Sequence, residues 1–247
     1  MDKFLYIASS GAKELMLSQT INAHNLANAN TVGFREDQAF YNALQVSGEG
    51  YSSRAYVGTQ GQGADFSPGS LMSTGRDMDV AIRGEGWFAV QGVDGTEAYT
   101  RAGDLQVTPA GLLVNGAGHP VIGNSAGPIT LPPFEKIEIG GDGTISVVPR
   151  GQAASTMAVV DRIKMVNPDK PDLEKGKDGL FRPKDDLEIV SDATVRLVSG
   201  TLESSNVNVV EAMVRTMELA RKFELQVKMM EQAKKLDESS ASIMKLN

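Results

Sequence analysis

The chain has 247 residues, a formal net charge of -7 at pH 7 and no cysteine. The missing cysteines exclude thiol nucleophiles, disulfides and thiolate metal sites. Aromatic residues make up only 6% of the chain and no basic cluster occurs, so we expect no nucleic-acid partner. The two histidines, His24 and His119, lie far apart without metal-ligand spacing, so we expect no metal and no other cofactor.

The start of the chain does not resemble a secretory signal. The apolar run of residues 4–8 is too short for one, and Lys13 and Glu14 interrupt the residues after it. No run of about 18 apolar residues occurs anywhere, so we expect no direct membrane span. A protein of this kind that leaves the cytoplasm would need an export route without a cleaved signal.

The first predicted element is an amphipathic helix within residues 2–26. Asparagine-rich residues 25–31 favour a helix end, and Gly33 suits a positive φ. Three asparagines in six residues exceed what a helix end needs, so we expect their spare amides to pack against a neighbouring chain. Apolar and small residues at steps of three and four form the stripe of this helix: Ile7, Ala8, Gly11, Ala12, Leu15, Asn22 and Leu26.

The middle of the chain carries β-signals. Residues 35–77 are rich in Gly, Ser and Gln and predict an extended connection; the glycines of residues 58–63 lack the context of a phosphate loop. Residues 78–202 show short apolar runs split by turns, such as Asp94-Gly95, and predict an antiparallel β-domain. Residues 169–186 are polar and charged and predict a loop.

The last predicted element is a long helix over residues 207–246, with Ser205 and Asn206 as candidate N-caps. A continuous helix would be about 60 Å long, which suggests packing in a coiled coil or an assembly. Acid-first pairs four residues apart, such as Glu211 and Arg215, support it. Its predicted stripe comprises Val210, Met213, Met217, Ala220, Phe223, Val227, Met230 and Ala233.

The sequence offers no convincing catalytic group, so we expect no enzyme. Asp77 and Asp79 could mimic a carboxylate pair, but charges beside a strand edge are the simpler interpretation. Trp87 could form a sugar-stacking platform, although core packing fits its apolar run better. Residues 99–101 could contact a ligand or form an exposed cross-strand ladder.

Four segments, in order along nearly the whole chain, resemble the bacterial flagellar rod and hook family. They are residues 25–34 (NLANANTVGF), 79–88 (DVAIRGEGWF), 99–103 (YTRAG) and 200–207 (GTLESSNV). The fold predicted is α+β, an antiparallel β-domain flanked by N- and C-terminal helices that pair in a coiled-coil-like assembly. The predicted divisions are 1–34, the N-terminal helix and signature; 35–77, the connection; 78–202, the β-domain; and 203–247, the C-terminal helix.

The resemblance implies a structural subunit without catalysis. Such a subunit passes through the flagellar type III export channel and polymerises in the periplasmic basal body into a helical tube that transmits torque. The implied partners are copies of itself and other rod subunits, with peptidoglycan only as surroundings. A proximal-rod subunit fits better than a distal-rod subunit, because residues 220–223 read Ala-Arg-Lys-Phe rather than the distal Gln-Arg-Ala-Tyr. A glycan-binding β-domain protein is the alternative from another class.

The predicted assembly interface combines one face of each terminal helix with the asparagines after the first helix. Its members are Ala8, Ala12, Leu15, Asn22, Leu26, Asn28, Asn30, Val210, Met213, Met217, Ala220, Phe223, Val227 and Met230.

Overall fold

The computed structural model describes residues 4–45, 55–125, 127–151, 157–168, 172–184 and 189–245. The chain divides into two compact units. Unit 1 comprises Met1–Ala29, Glu36–Asp65 and Val207–Asn247, and unit 2 comprises Asn30–Arg35 and Phe66–Asn206. Each unit is therefore built from segments that are distant in sequence, and the chain ends belong to unit 1.

Unit 1 contains two helices and one hairpin. Helix α1 spans Phe4–Ala27 and helix α2 spans Val209–Lys245. Strand β1 (Asp37–Gln45) pairs antiparallel with strand β2 (Ala55–Ala64), with a bulge after Phe40. The predicted connection 35–77 therefore contains paired strands. Sequence analysis did not predict this hairpin, because β2 is rich in glycine and glycine has a low strand propensity.

The ends of the helices follow local hydrogen bonding. Helix α1 stops where predicted, and Gly33 has a φ of 66°. The N-cap of α2 is Asn208, whose Oδ1 accepts from the amides of Val210 and Glu211 at 3.1 and 3.3 Å. The prediction of Ser205 or Asn206 as the cap was wrong. The side-chain amide of Asn206 instead donates to the Ser67 carbonyl. The 37 residues of α2 make a rod about 55 Å long.

Unit 2 is built from short strands, and every pairing of its named strands is antiparallel. The two larger sheets have the orders β12-β5-β6-β14-β13 and β11-β10-β9, and three further pairs are β15-β4, β16-β3 and β7-β8. The α+β prediction is confirmed. The strands are β3 Leu71–Ser73, β4 Val80–Arg83, β5 Trp87–Gln91, β6 Glu97–Thr100, β7 Gln106–Val107, β8 Leu113–Val114, β9 Phe134–Ile139, β10 Thr144–Pro149, β11 Ala158–Arg162, β12 Met165–Val166, β13 Leu173–Lys175, β14 Phe181–Pro183, β15 Arg196–Ser199 and β16 Thr201–Glu203.

The polar loop predicted over 169–186 was wrong for its described part, because β13 and β14 form a hairpin there. Phe181 anchors this hairpin in the core, and its charged residues bond locally, with Arg182 Nη2 2.7 Å from Asp178 Oδ2. Trp87 lies 4.6 Å from Phe181 and 6.0 Å from Phe66 between ring centroids. Core packing of Trp87 is thereby confirmed. A cluster of buried aliphatic side chains fills the rest of the core, among them Val80, Ile82, Val90, Leu105, Leu113, Ile129, Ile145 and Ile163.

Candidate functional site

Helices α1 and α2 contact each other directly within unit 1. Asn22 Nδ2 donates to the Ala212 carbonyl at 2.8 Å and to Thr216 Oγ1 at 2.7 Å. Further along, Gly11 faces Gln226, whose Nε2 would lie 3.1 Å from a Cβ built at that glycine. Because the later residue of α1 meets the earlier residues of α2, the two helices run antiparallel.

One face of α2 is buried or half-buried along most of its length. Its residues alternate at steps of four and three, which keeps them on one side of the helix. We call this set the paired face: Ala212, Thr216, Leu219, Phe223, Gln226, Met230 and Ala233. The predicted stripe of α2 coincides with this face only in its later half, because its mostly three-residue steps fall short of the 3.6-residue turn and wind around the helix.

The opposite side of α2 carries exposed apolar side chains. Val210 is 71% exposed and Met217 is 64% exposed. Exposed large apolar side chains on one side of a helix indicate a candidate interaction site, and methionine adapts to irregular partners. We call this set the open face: Val210, Met213, Val214, Met217, Leu225, Met229 and Leu236.

The predicted interface residues therefore occupy different surroundings. Buried residues of α1 are Ala8, Ala12 and Asn22, and half-buried ones are Leu15 and Leu26. After α1, Asn28 is half-buried and Asn30 is exposed. On α2 the half-buried members are Phe223, Val227 and Met230, and the exposed members are Val210, Met213, Met217 and Ala220.

Most of the asparagine amides bond within the chain rather than remaining spare. Asn25, which is 1% exposed, donates to the Asp37 carbonyl and accepts from the Asp37 amide, both at 2.9 Å. This pairing fixes the start of β1 against the end of α1. Asn28 donates to the His24 carbonyl of its own helix at 3.0 Å, and His24 Nδ1 lies 2.7 Å from Asp37 Oδ2. Sequence analysis did not assign Asn25 a role in packing, because its partner is the backbone of Asp37, which no side-chain pattern indicates.

The polar contact of Asn22 gives a prediction for unit 1. Asn22→Ala should destabilise the helix pair by about 1–3 kcal/mol, because the buried Ala212 carbonyl and Thr216 hydroxyl lose a donor. Thermal unfolding followed by helical circular dichroism measures this loss. Gln19→Ala, at an exposed position of α1, is the control and should change stability little. Equal melting of both variants would contradict the role of Asn22.

An ion pair joins α2 to Glu36, the residue before β1. Arg215 Nη1 lies 3.3 Å from Glu36 Oε1, and Arg215 Nη2 lies 3.8 Å from Glu211 Oε1. Burial raises the pKa of Glu36, while the charge of Arg215 lowers it and nearby carboxylates raise it further. The predicted Glu211–Arg215 helix pair is thus part of a contact with the hairpin.

Unit 2 holds a buried charged cluster formed by Arg35, Arg101 and Glu203. Glu203 accepts from Arg35 at 2.6 Å and from Arg101 at 3.1 Å, and all three side chains are at most 6% exposed. The guanidinium carbons lie 5.8 and 5.4 Å from the Trp87 ring centroid. Such cation–π contacts stabilise desolvated guanidinium groups. Burial lowers the pKa of Arg101, Glu203 raises it, and the like charge of Arg35 lowers it.

The charged cluster is the point where the four family-like segments meet. Arg35 directly follows residues 25–34, Trp87 lies in 79–88, Arg101 in 99–103 and Glu203 in 200–207. Backbone bonds reinforce the junction, because the Gly33 amide donates to the Glu203 carbonyl at 2.8 Å. The segments therefore share a structural purpose, which is to close unit 2 around one carboxylate.

The candidate catalytic and ligand-contact residues have other roles. Asp77 is exposed whereas Asp79 is 1% exposed, so the two do not form an open carboxylate pair. The exposed ladder predicted over 99–101 was wrong, since Tyr99, Thr100 and Arg101 are all buried. Within the described residues there is no group of three or more His, Asp or Glu side chains suited to a metal ion. None of the helices there combines the length and apolarity of a membrane span.

Comparison with known proteins gives matches to flagellar proteins in both units of the chain. The model for the flagellar hook protein FlgE/F/G D1 domain matches residues 81–147, and that for the flagellar basal body rod FlgEFG protein C-terminal matches residues 198–243. The FlgF proteins of Escherichia coli and Salmonella typhimurium are each 42% identical over 92% of both chains. The FlgG protein of Buchnera aphidicola is 31% identical over 91% of this chain and 93% of its own.

These matches define the class first: this is a structural component of the flagellar basal body and not an enzyme. The similarity to the FlgF proteins covers 92% of the chain and therefore includes residues of both units. The chain belongs to the family of flagellar basal-body rod proteins, and its similarity is stronger to these FlgF proteins than to the FlgG protein.

Proposed function

We propose that this protein is a proximal-rod subunit that polymerises, with copies of itself and neighbouring rod subunits, into a helical tube. The open face of α2 carries this proposal. The side opposite it meets α1 through Ala212 and Thr216, so a second apolar surface is left for another molecule. Burial of apolar surface contributes about 25 cal/mol per Å². A head-to-tail contact that does not close into a ring generates a helical tube.

Coiled-coil-like packing of the terminal helices is part of the proposal. The four-and-three spacing of the paired face is the heptad pattern of coiled coils. Buried Asn22 would set the register of α1 on α2, as single polar residues do in such pairs. The predicted interface residues would then have two roles. The buried and half-buried ones of the helices would hold the helix pair, and the exposed ones of α2 would contact neighbouring subunits.

The proximal position rests on the relatives. The FlgF proteins share 42% identity with the chain and the FlgG protein 31%, which favours the proximal over the distal rod. The tube would transmit torque to the distal rod, hook and filament. Its subunits would reach the periplasm through the type III channel, and peptidoglycan would only surround them.

The decisive experiment places a charge on the open face. Met217→Asp should block incorporation into basal bodies and abolish swimming, because an unpaired carboxylate buried in an apolar contact costs more than about 1.4 kcal/mol, a tenfold change in binding. The measurement is the amount of subunit in purified basal bodies, together with motility. The purified variant should keep its Trp87 fluorescence and helical signal, because Met217 is exposed in the single chain.

Met217→Leu is the matched control, because it keeps the site apolar, and it should assemble normally. A single Met217→Cys adds an independent test, since the chain has no cysteine of its own and any disulfide must join another molecule. Crosslinks to rod subunits in intact basal bodies would support the proposal. Normal assembly of Met217→Asp would disprove it.

A further inference from the structure

Asp79 and Asp104 face each other across two antiparallel segments of unit 2. The Leu105 amide donates to the Met78 carbonyl at 3.2 Å, and the Val80 amide donates to the Gly103 carbonyl at 2.9 Å. These bonds flank the two aspartates, which therefore form a non-hydrogen-bonded pair. Facing side chains are closest at such positions, with Cα atoms about 4.5 Å apart.

Asp79 is buried and Asp104 is half-buried, and one oxygen atom of each carboxyl group is closed off from water. Asp79 is 1% exposed. Oδ1 of Asp79 and Oδ1 of Asp104 are both buried, and neither has a hydrogen-bond partner in the described part of the chain. Like charges directly opposite each other destabilise a strand pair, and an uncompensated buried carboxylate is costly. Two negative charges at this place therefore need compensation.

Neighbouring groups supply only part of that compensation. Arg76 Nε lies 3.6 Å from Asp79 Oδ1, but its side chain is 62% exposed, so solvent screens its charge. Oδ2 of Asp104 lies against Gly116, where a Cβ would approach it to 1.7 Å. Asp79 and Arg76 are the charged groups that act on Asp104, and one exposed cation cannot neutralise two carboxylates.

We propose that Asp79 and Asp104 hold one proton between them in the folded subunit, so that unit 2 responds to pH. The proton would reduce the repulsion between the two facing carboxyl groups. The proposal concerns the folding of unit 2 and stands apart from the proposed assembly.

The titration of Asp104 agrees with this geometry. Burial raises its pKa, the amides of Asp104 and Gly116 lower it, the charge of Asp79 raises it and Arg76 lowers it. The folded state thus holds the proton more tightly than the unfolded chain. Its stabilising contribution is complete below the ordinary aspartate pKa of about 3.9. That contribution is lost as the pH rises through the raised value.

Urea unfolding of the full chain tests the carboxyl pair, with fluorescence of the single tryptophan, buried Trp87, reporting on unit 2. The Asp104→Asn side chain keeps an acceptor for Gly116 and cannot ionise. From about pH 4 to 7, the midpoint of the wild type should fall relative to that of Asp104→Asn by roughly half a molar for each tenfold gain in proton affinity on folding. Asp77→Asn, at an exposed site, should follow the wild type.

A gap between the Asp104→Asn and wild-type midpoints that does not change with pH would overturn the proposal. Carbon-13 NMR of the aspartate carboxyl carbons in the wild type tests it without any variant, and the pair should include one group that titrates above the ordinary range. Ordinary titration of every aspartate would overturn it. So would a rise of the wild-type midpoint, absent in Asp104→Asn, on addition of Ca²⁺ or Mg²⁺, since the pair would then hold a cation.

Discussion

Replacement of Glu203 by alanine should destabilise unit 2 by about 3–5 kcal/mol, the usual cost of removing one partner from a buried ion pair. Glu203 is 1% exposed and accepts from two guanidinium groups, those of Arg35 and Arg101. Its loss leaves two like charges buried side by side. It also removes the acceptor of the Gly69 amide. Glu203→Gln should be nearly as destabilising. It keeps the shape of the side chain, but the two buried guanidinium groups lose their negative partner.

Urea unfolding monitored by Trp87 fluorescence measures the Glu203 prediction, since that ring touches both guanidinium groups. Glu138→Ala is the control. The Glu138 carboxylate lies 3.9 Å from Lys136 with both side chains more than 60% exposed, and such pairs contribute about 0–1 kcal/mol. Similar losses in Glu203→Ala and Glu138→Ala would show that the charged cluster does not hold unit 2 together.

The helices and most hairpins could be predicted because their signals are local. The end of α1 is indicated by asparagines and a glycine within a few residues. The turn at Asp94-Gly95 indicates the hairpin that joins β5 to β6. Sequence periodicity located α2 to within two residues. Periodicity did not distinguish the two sides of α2, because apolar residues occur on both sides. The pattern does not indicate which of them contacts α1.

The elements that sequence analysis missed depend on distant partners. Strand β2 contains three glycines, and its backbone is supported by β1, where the Phe40 ring lies over Gly63. Strands β13 and β14 carry charged residues beside two buried anchors, Leu173 and Phe181. In both cases tertiary contacts override a low local strand propensity.

The charged cluster could not be predicted for the same reason, although its residues lie in or beside the segments that identify the family. Arg35 and Glu203 are 168 positions apart, and charged residues are normally assigned to the surface. The resemblance therefore located the important segments without giving their purpose. The structure adds that purpose, since the segments meet at one buried carboxylate.

Gly33 provides the second large effect, because its position forbids a side chain for two reasons. Its φ of 66° is the left-handed region, and a Cβ would lie 2.3 Å from the Arg101 carbonyl carbon and 2.5 Å from the Ala102 amide nitrogen. Left-handed backbone costs a non-glycine residue roughly 1–2 kcal/mol, and forced displacement of packed atoms adds about 1–3 kcal/mol. Gly33→Ala should therefore destabilise unit 2 by about 3 kcal/mol or more.

Gly75 makes the cause of that loss measurable. It also has a positive φ, 71°, but nothing lies within 4 Å of a Cβ built there. Gly75→Ala thus carries the conformational cost alone, and the difference between the two variants in Trp87-monitored urea unfolding isolates the clash with residues 101 and 102. If the two variants were equally stable, the approach of Gly33 to Arg101 would contribute nothing. A clear difference would show that close backbone contact at the charged cluster, and not φ alone, requires glycine at position 33.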